Sequence, residues 1–91
     1  MRKVTVTKSE VDYFTIMVNV NKQIVINSIE TLYGKVDRVN NDCLEFDYRY
    51  ARLTLIFKDT FDDSCIFTIK NKDAYGDDIT PIMYPIINML V

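Results

Sequence analysis

Carboxylates are the side chains of this 91-residue sequence best placed to do chemistry, and they come in two runs: Asp59, Asp62 and Asp63, then Asp73, Asp77 and Asp78. Oxygen donors so spaced could hold Mg²⁺ or Ca²⁺. Asn71, Asp73 and Gly76 match the first, third and sixth positions of a calcium loop, but Tyr75 and Ile82 stand where the fifth and twelfth positions require oxygen. The expected reading is therefore two solvated loops between strands, with no bound metal or cofactor. A second grouping is basic and aromatic: Arg38, Arg49 and Arg52 near Tyr48 and Tyr50. These types grip single-stranded nucleic acid by charge and stacking.

Other chemistries lack their residues. There is no histidine, so Ser–His and Cys–His pairs are excluded and only carboxylates or lysines remain as general bases. Cys43 and Cys65 are too few for a zinc site. A disulfide between them is not expected in a reducing compartment. Gly34 and Gly76 are isolated, which excludes a phosphate-cradling loop. The chain reads as a non-enzyme.

Charge narrows the partners. Residues 1–58 hold nine basic and seven acidic side chains, whereas residues 59–91 hold two basic and six acidic. The net charge is −2 and the isoelectric point is near 4.9, which disfavours a general phosphate-binding surface. No apolar run reaches the length of a membrane span and no leader pattern opens the sequence, so the expectation is a cytoplasmic protein without membrane contact.

The elements that would position these residues centre on Leu44 to Ile69. Leu44, Phe46 and Tyr48 alternate with Glu45, Asp47 and Arg49, the period of a half-buried strand. The phase flips at Tyr50 and Ala51, after which Leu53, Leu55 and Phe57 are apolar and Ile56 is an exception. A hairpin with a four-residue loop would pair Tyr48 with Leu53, Phe46 with Leu55 and Leu44 with Phe57. The alternative is one long bulged strand. Continuing the frame pairs Phe57 with Cys65, Leu55 with Phe67 and Leu53 with Ile69.

Upstream, Val4 and Val6 mark a short strand, and Phe14 to Val20 a second. Asn21 to Gln23 would turn the chain so that Ile24 and Ile26 fall opposite Val20 and Val18. Asn27 to Gly34 reads as one or two helical turns near 28–33, with Asn27 as cap; the alternative is a strand continued through Leu32. Val36 and Val39 begin another strand. The run from Gly34 to Leu44 has the cadence of small five-stranded barrels, Sm-like and SH3-like folds among them, without a family-specific motif. At the C-terminal side Ile79, Ile82, Met83, Ile86 and Leu90 recur at helical spacing over 80–90. Thr80-Pro81 suits a helix start, and Pro85 predicts a kink near Tyr84 or a single turn followed by a second short helix. The expected architecture is a single α+β domain: an antiparallel sheet of five or six strands, barrel-like in the alternative, under a kinked helical cover.

Phe61 and Tyr75 each stand among carboxylates, and aromatics rimmed by charge are interface material. The reading is a protein-binding module using Asp59, Phe61, Asp62 and Asp63 with Tyr75, Asp77 and Asp78. The alternative is a single-stranded nucleic-acid binder using Arg38, Tyr48, Arg49, Tyr50 and Arg52. Ile, Lys, Asn, Asp and Tyr far outnumber Ala and Gly, as in an AT-rich coding sequence. A low-GC bacterium, its phage or a mobile element would be such a source, and the role expected there is inhibitor or modulator of a host enzyme. The strand at Val4 to Val6 reads as an edge through which a homodimer could form.

Overall fold

The computed structural model describes residues 2–73 and 78–91. Six strands form one open antiparallel sheet: β1 (Val4–Ser9), β2 (Tyr13–Val18), β3 (Asp37–Asn40), β4 (Cys43–Tyr48), β5 (Ala51–Thr60) and β6 (Cys65–Asn71), in the spatial order β1-β2-β6-β5-β4-β3. Helices α1 (Lys22–Tyr33) and α2 (Thr80–Leu90) pack on each other and on one face of this sheet. The fold is α+β as the sequence implies, and the sheet is open rather than barrel-like, with β1 and β3 at its edges.

The hairpin at Tyr50 is present, with a register two residues from the expected one. Tyr48 faces Ala51, Phe46 faces Leu53 and Leu44 faces Leu55. The loop has two residues, Arg49 and Tyr50, and closes only because Arg49 takes φ +56°. Positive φ at the first loop residue alone fits a type II′ turn, where glycine is the usual occupant. The same two-residue offset carries into the next pair, so Phe57 meets Phe67 and Leu55 meets Ile69. A shift of two preserves the face, and the expected apolar set is therefore still the buried one. A bulge between Phe57 and Asp59 re-phases the end of β5.

Residues 21–33 differ more from expectation. Ile24 and Ile26 are not in a strand; they belong to α1, which starts six residues before the expected helix. Asn21, not Asn27, caps it, its Oδ1 accepting from the Ile24 N–H at 3.1 Å. The reason is topological. β2 already has β1 on one side and β6 on the other, leaving no edge for a third partner. The chain must instead cross the sheet to reach β3 at the far edge, and α1 is that crossing. Val25, Ile26 and Ile29 recur at helical spacing and are buried on the sheet. Gly34 ends the helix at φ +93°, a conformation that glycine adopts without a side-chain clash.

α2 is one unbroken helix across Pro85. The proline removes the hydrogen bond to the Pro81 carbonyl, which sits in the exposed first turn where little is lost. The Asp78 carboxylate accepts from the N–H of Thr80 at 2.8 Å and from its hydroxyl, closing the start of the helix. Ile79, Ile82, Met83, Ile86 and Leu90 are all buried, as the spacing predicts. Between the helices and the sheet lie Phe14, Ile16, Phe46, Leu53, Leu55, Phe67 and Ile69, each 0% exposed.

Two substitutions test this packing. Ile86→Ala, at a site 0% exposed, is expected to cost about 2–5 kcal/mol in urea unfolding; a loss under about 1 kcal/mol would mean that α2 is not the cover. Arg49→Gly should stabilise the protein by roughly 1 kcal/mol by relieving the positive φ, and a destabilised variant would refute the turn geometry.

Candidate binding cleft

The helices leave the other sheet face open, and its chemistry is divided. Toward the β5–β6 end it is apolar; toward the β4–β5 end it is charged. The apolar part is Met17 of β2 and Ile66 of β6, neighbours in one rung that Thr5 of β1 and Asp59 of β5 complete on either side. Met17 is 45% exposed and Ile66 half-buried. Beyond them β5 turns into β6 through Phe61–Ser64, a loop closed by the Phe61 N–H donating to the Ser64 carbonyl at 2.8 Å. Phe61 does not tuck beneath this loop. It is 63% exposed and forms one wall of a cleft of about 260 Å³ together with Lys3, Thr5, Met17, Ser64 and Ile66.

The carboxylates are disposed around this cleft on two sides. Asp59 lies on the open face opposite Ile66. Asp62 and Asp63 project toward the start of α1 and line a shallow depression with Arg2, Asn19 and Asn21. The rim is thus acidic at the loop and basic along Arg2 and Lys3. Cys65 borders the cleft but is 1% exposed and belongs to the core cluster, where burial pushes its thiol up to about 11, so it stays protonated at neutral pH.

Among the described residues, Asp78 does not come together with Asp59, Asp62 and Asp63. β5 connects the β4–β5 turn to the β5–β6 loop, so those connections lie at opposite ends of the sheet. Asp78 stands at the former, beside Arg49, Tyr50 and Pro81 around a cleft of about 170 Å³. Its capping bonds to Thr80 hold its carboxyl below the usual range, which gives it a structural role. Tyr75 and Asp77 lie outside the described residues. Asn71, the first position of the calcium-loop reading, is buried at the end of β6 with its N–H donated to the Asp12 carbonyl at 3.0 Å. Among the described residues no three His, Cys, Asp or Glu side chains group as metal ligands.

The arginine and tyrosine set is also divided. Tyr48, in phase with Leu44 and Phe46, is on the helix side, half-buried with its ring edge-on to Tyr33 at 5.5 Å between centroids. Arg52 is on the open face, held by Asp37 at 2.5 Å, Asp47 at 3.1 Å and Glu45 at 3.2 Å, with Lys72 also 3.2 Å from Glu45. Three carboxylates around one guanidinium leave it little charge for a phosphate. Arg49 lies over the Tyr48 ring at 5.3 Å, Tyr50 is fully exposed, and Arg38 is exposed on β3.

Met17 and Ile66 line the cleft, and neither is a residue type that suggests a site on its own. Their signal was available: each is apolar in the polar phase of its strand. No family model, no curated protein and no solved structure matches this chain. No helix among the described residues is long and apolar enough to cross a membrane.

The Arg52 network sets a pH dependence. Asp37 is held below its ordinary 3.8 chiefly by the bond from Arg52, and Glu45 below its ordinary 4.5 by Lys72 and then Arg52. A depressed folded pKa stabilises fully above the unfolded value and is lost as pH falls through the folded one. Arg52→Gln should therefore lower the melting temperature at neutral pH, and the gap from wild type should close below about pH 4. Thermal melts across that range check this; a gap constant down to about pH 2 would show that the ion pairs contribute nothing.

Proposed function

We propose that this chain is a non-enzymatic, cytoplasmic binding module whose partner is another protein, docked at the cleft beside Phe61. The observation that carries the reading is the 63% exposure of Phe61 next to Met17 at 45%. Two large apolar side chains held apart from the core, over a preformed cleft, incur a solvation cost that a partner would remove. Asp59, Asp62 and Asp63 around them suit basic side chains at the partner's rim, and Arg2 and Lys3 on the opposite side would fix its orientation. The AT-rich composition supports a low-GC bacterial, phage or mobile-element setting and a role as inhibitor or modulator of a host enzyme.

The second reading, single-stranded nucleic acid, rests on the β4–β5 turn. Arg49 occupies a strained conformation beside the fully exposed Tyr50, and strain kept at an exposed turn is a mark of function. Arg38 would supply further charge, and Tyr48 and Arg52 take no direct part.

The test is capture on the immobilised protein from a low-GC bacterial lysate, with and without nuclease, using wild type and Phe61→Ala. Phe61→Ala should change stability by less than about 0.5 kcal/mol and weaken capture by about tenfold or more. A protein retained after nuclease and lost with Phe61→Ala supports the cleft. Retention that survives Phe61→Ala but not nuclease would transfer the function to Arg38, Arg49 and Tyr50.

A further inference from the structure

A second surface, remote from the Phe61 cleft in chemistry and position, is the outer side of the helical layer. α2 carries no charged residue and α1 only Lys22 and Glu30, in a chain of which 26% is charged. Lys22 is already engaged with Asp42 at 3.4 Å. A helix that covers a sheet ordinarily sets charges outward. Here the outward stripe of α2 is Pro81, Tyr84, Pro85 and Asn88, every one exposed, with Tyr84 at 64%.

The stripe has an internal symmetry of donors and acceptors. Pro85 has no N–H for the carbonyl of Pro81, so that acceptor lacks its α-helical donor. Asn88 stands about two turns further along the same stripe, and its side-chain amide offers two N–H donors. Tyr84 and Pro85 lie midway between them.

We propose that this face is covered by a second copy of the chain, with α2 antiparallel to its copy about a two-fold axis passing between Tyr84 and Pro85. Positions equidistant from such an axis face each other, so Asn88 of each copy lies against Pro81 of the other and donates to its carbonyl. The two Tyr84 rings straddle the axis and pack on each other and on Pro85. Antiparallel helices also set opposite dipole ends side by side. A two-fold contact places a patch against itself, so any charge near the axis meets its own kind; a charge-free stripe avoids that repulsion, whereas a charged partner would find nothing to pair with. A standard interface removes about 800 Å² per partner, about one-seventh of the 5567 Å² surface of this molecule. The largest face of the body, 35 × 24 Å, has about that area, so the contact centred on α2 would extend across the helical layer to α1.

Sedimentation equilibrium over a range of concentrations tests the proposal with wild type, Tyr84→Glu, Tyr84→Lys and a mixture of these two variants. Wild type should be a dimer, each variant alone a monomer, and the mixture a dimer again, because only positions beside the axis bring the two substituted side chains together across it. Asn88→Ala should weaken the wild-type dimer several-fold. Thermal melts at monomeric concentration confirm that the variants fold; if Tyr84→Glu does not melt cooperatively, Asn88→Arg takes its place, again expected to be monomeric. A monomeric wild type, a dimer that persists in both charged variants, or a mixture that remains monomeric would each overturn the proposal. Loss of the dimer in Thr5→Pro but not in Tyr84→Glu would place the contact at the β1 edge instead.

Discussion

Leu44, Leu55, Ile69 and Phe14 form one rung that crosses β4, β5, β6 and β2, and all four side chains are buried on the same face. Phe57, Phe67 and Ile16 form the neighbouring rung, with the two phenylalanine rings 6.0 Å apart. Every other element answers to this apolar face. The helices exist to exclude water from it, the crossing by α1 follows from the need to feed β3 to the far edge without uncovering it, and α2 fills the remaining area over β2. Because side chains alternate, committing these residues inward dictates what the opposite face presents.

That opposite face serves two purposes at its two ends. At the β4–β5 end it is tied by the Arg52 network, with Asp37, Glu45 and Asp47 drawn from β3 and β4 onto one guanidinium. At the β5–β6 end it carries Met17, Ile66 and the overhanging Phe61. The Phe61 cleft, with its charged rim, and the charge-free outer stripe of α2 thus lie on different faces of the sheet. A chain that pairs with itself on one face therefore keeps the other free, and two copies would present two Phe61 clefts.

Much of this was legible in the sequence, and the failures have physical causes. The apolar alternation of β2, β4, β5 and β6 identified the core because period and face survive a shift of two residues, whereas the partner assignments did not survive it. The shift arose because arginine accepted a conformation usually left to glycine, a cost paid by the tertiary pairing and invisible in local preference. The start of α1 is not legible locally because Ile24 and Ile26 alternate like a strand over a short window, while the helical spacing of Val25, Ile29 and Leu32 becomes decisive only once β2 has both edges occupied. Asp62, Asp63 and Asp78 lie outside the strands as the sequence implies, whereas Asp59 belongs to β5 because the bulge after Phe57 extends the pairing to Thr60; that Asp78 stands at the other end of the sheet from Asp62 and Asp63 depends on connectivity that no local pattern encodes. Met17, Ile56 and Ile66, apolar residues out of phase, were the sequence's own indication that the open face is not uniformly polar.

The junction between β2 and β6 has a consequence for how the chain reaches this structure. The β1–β2 pair is a hairpin and β3 to β6 a meander, each assembled from neighbours in sequence, but their union joins residues far apart; the Thr15–Thr68 hydroxyl bond, 2.8 Å and buried, spans 53 positions. Closing so long a loop has a high entropic cost that is recovered only when the whole seam forms. The two halves are thus expected to organise early and dock late, with the seam as the slow step and α1 as the tether that keeps them within reach. Until they dock, the inner edges of β2 and β6 are both unpaired, and the newly made chain is most exposed to mispairing during that interval.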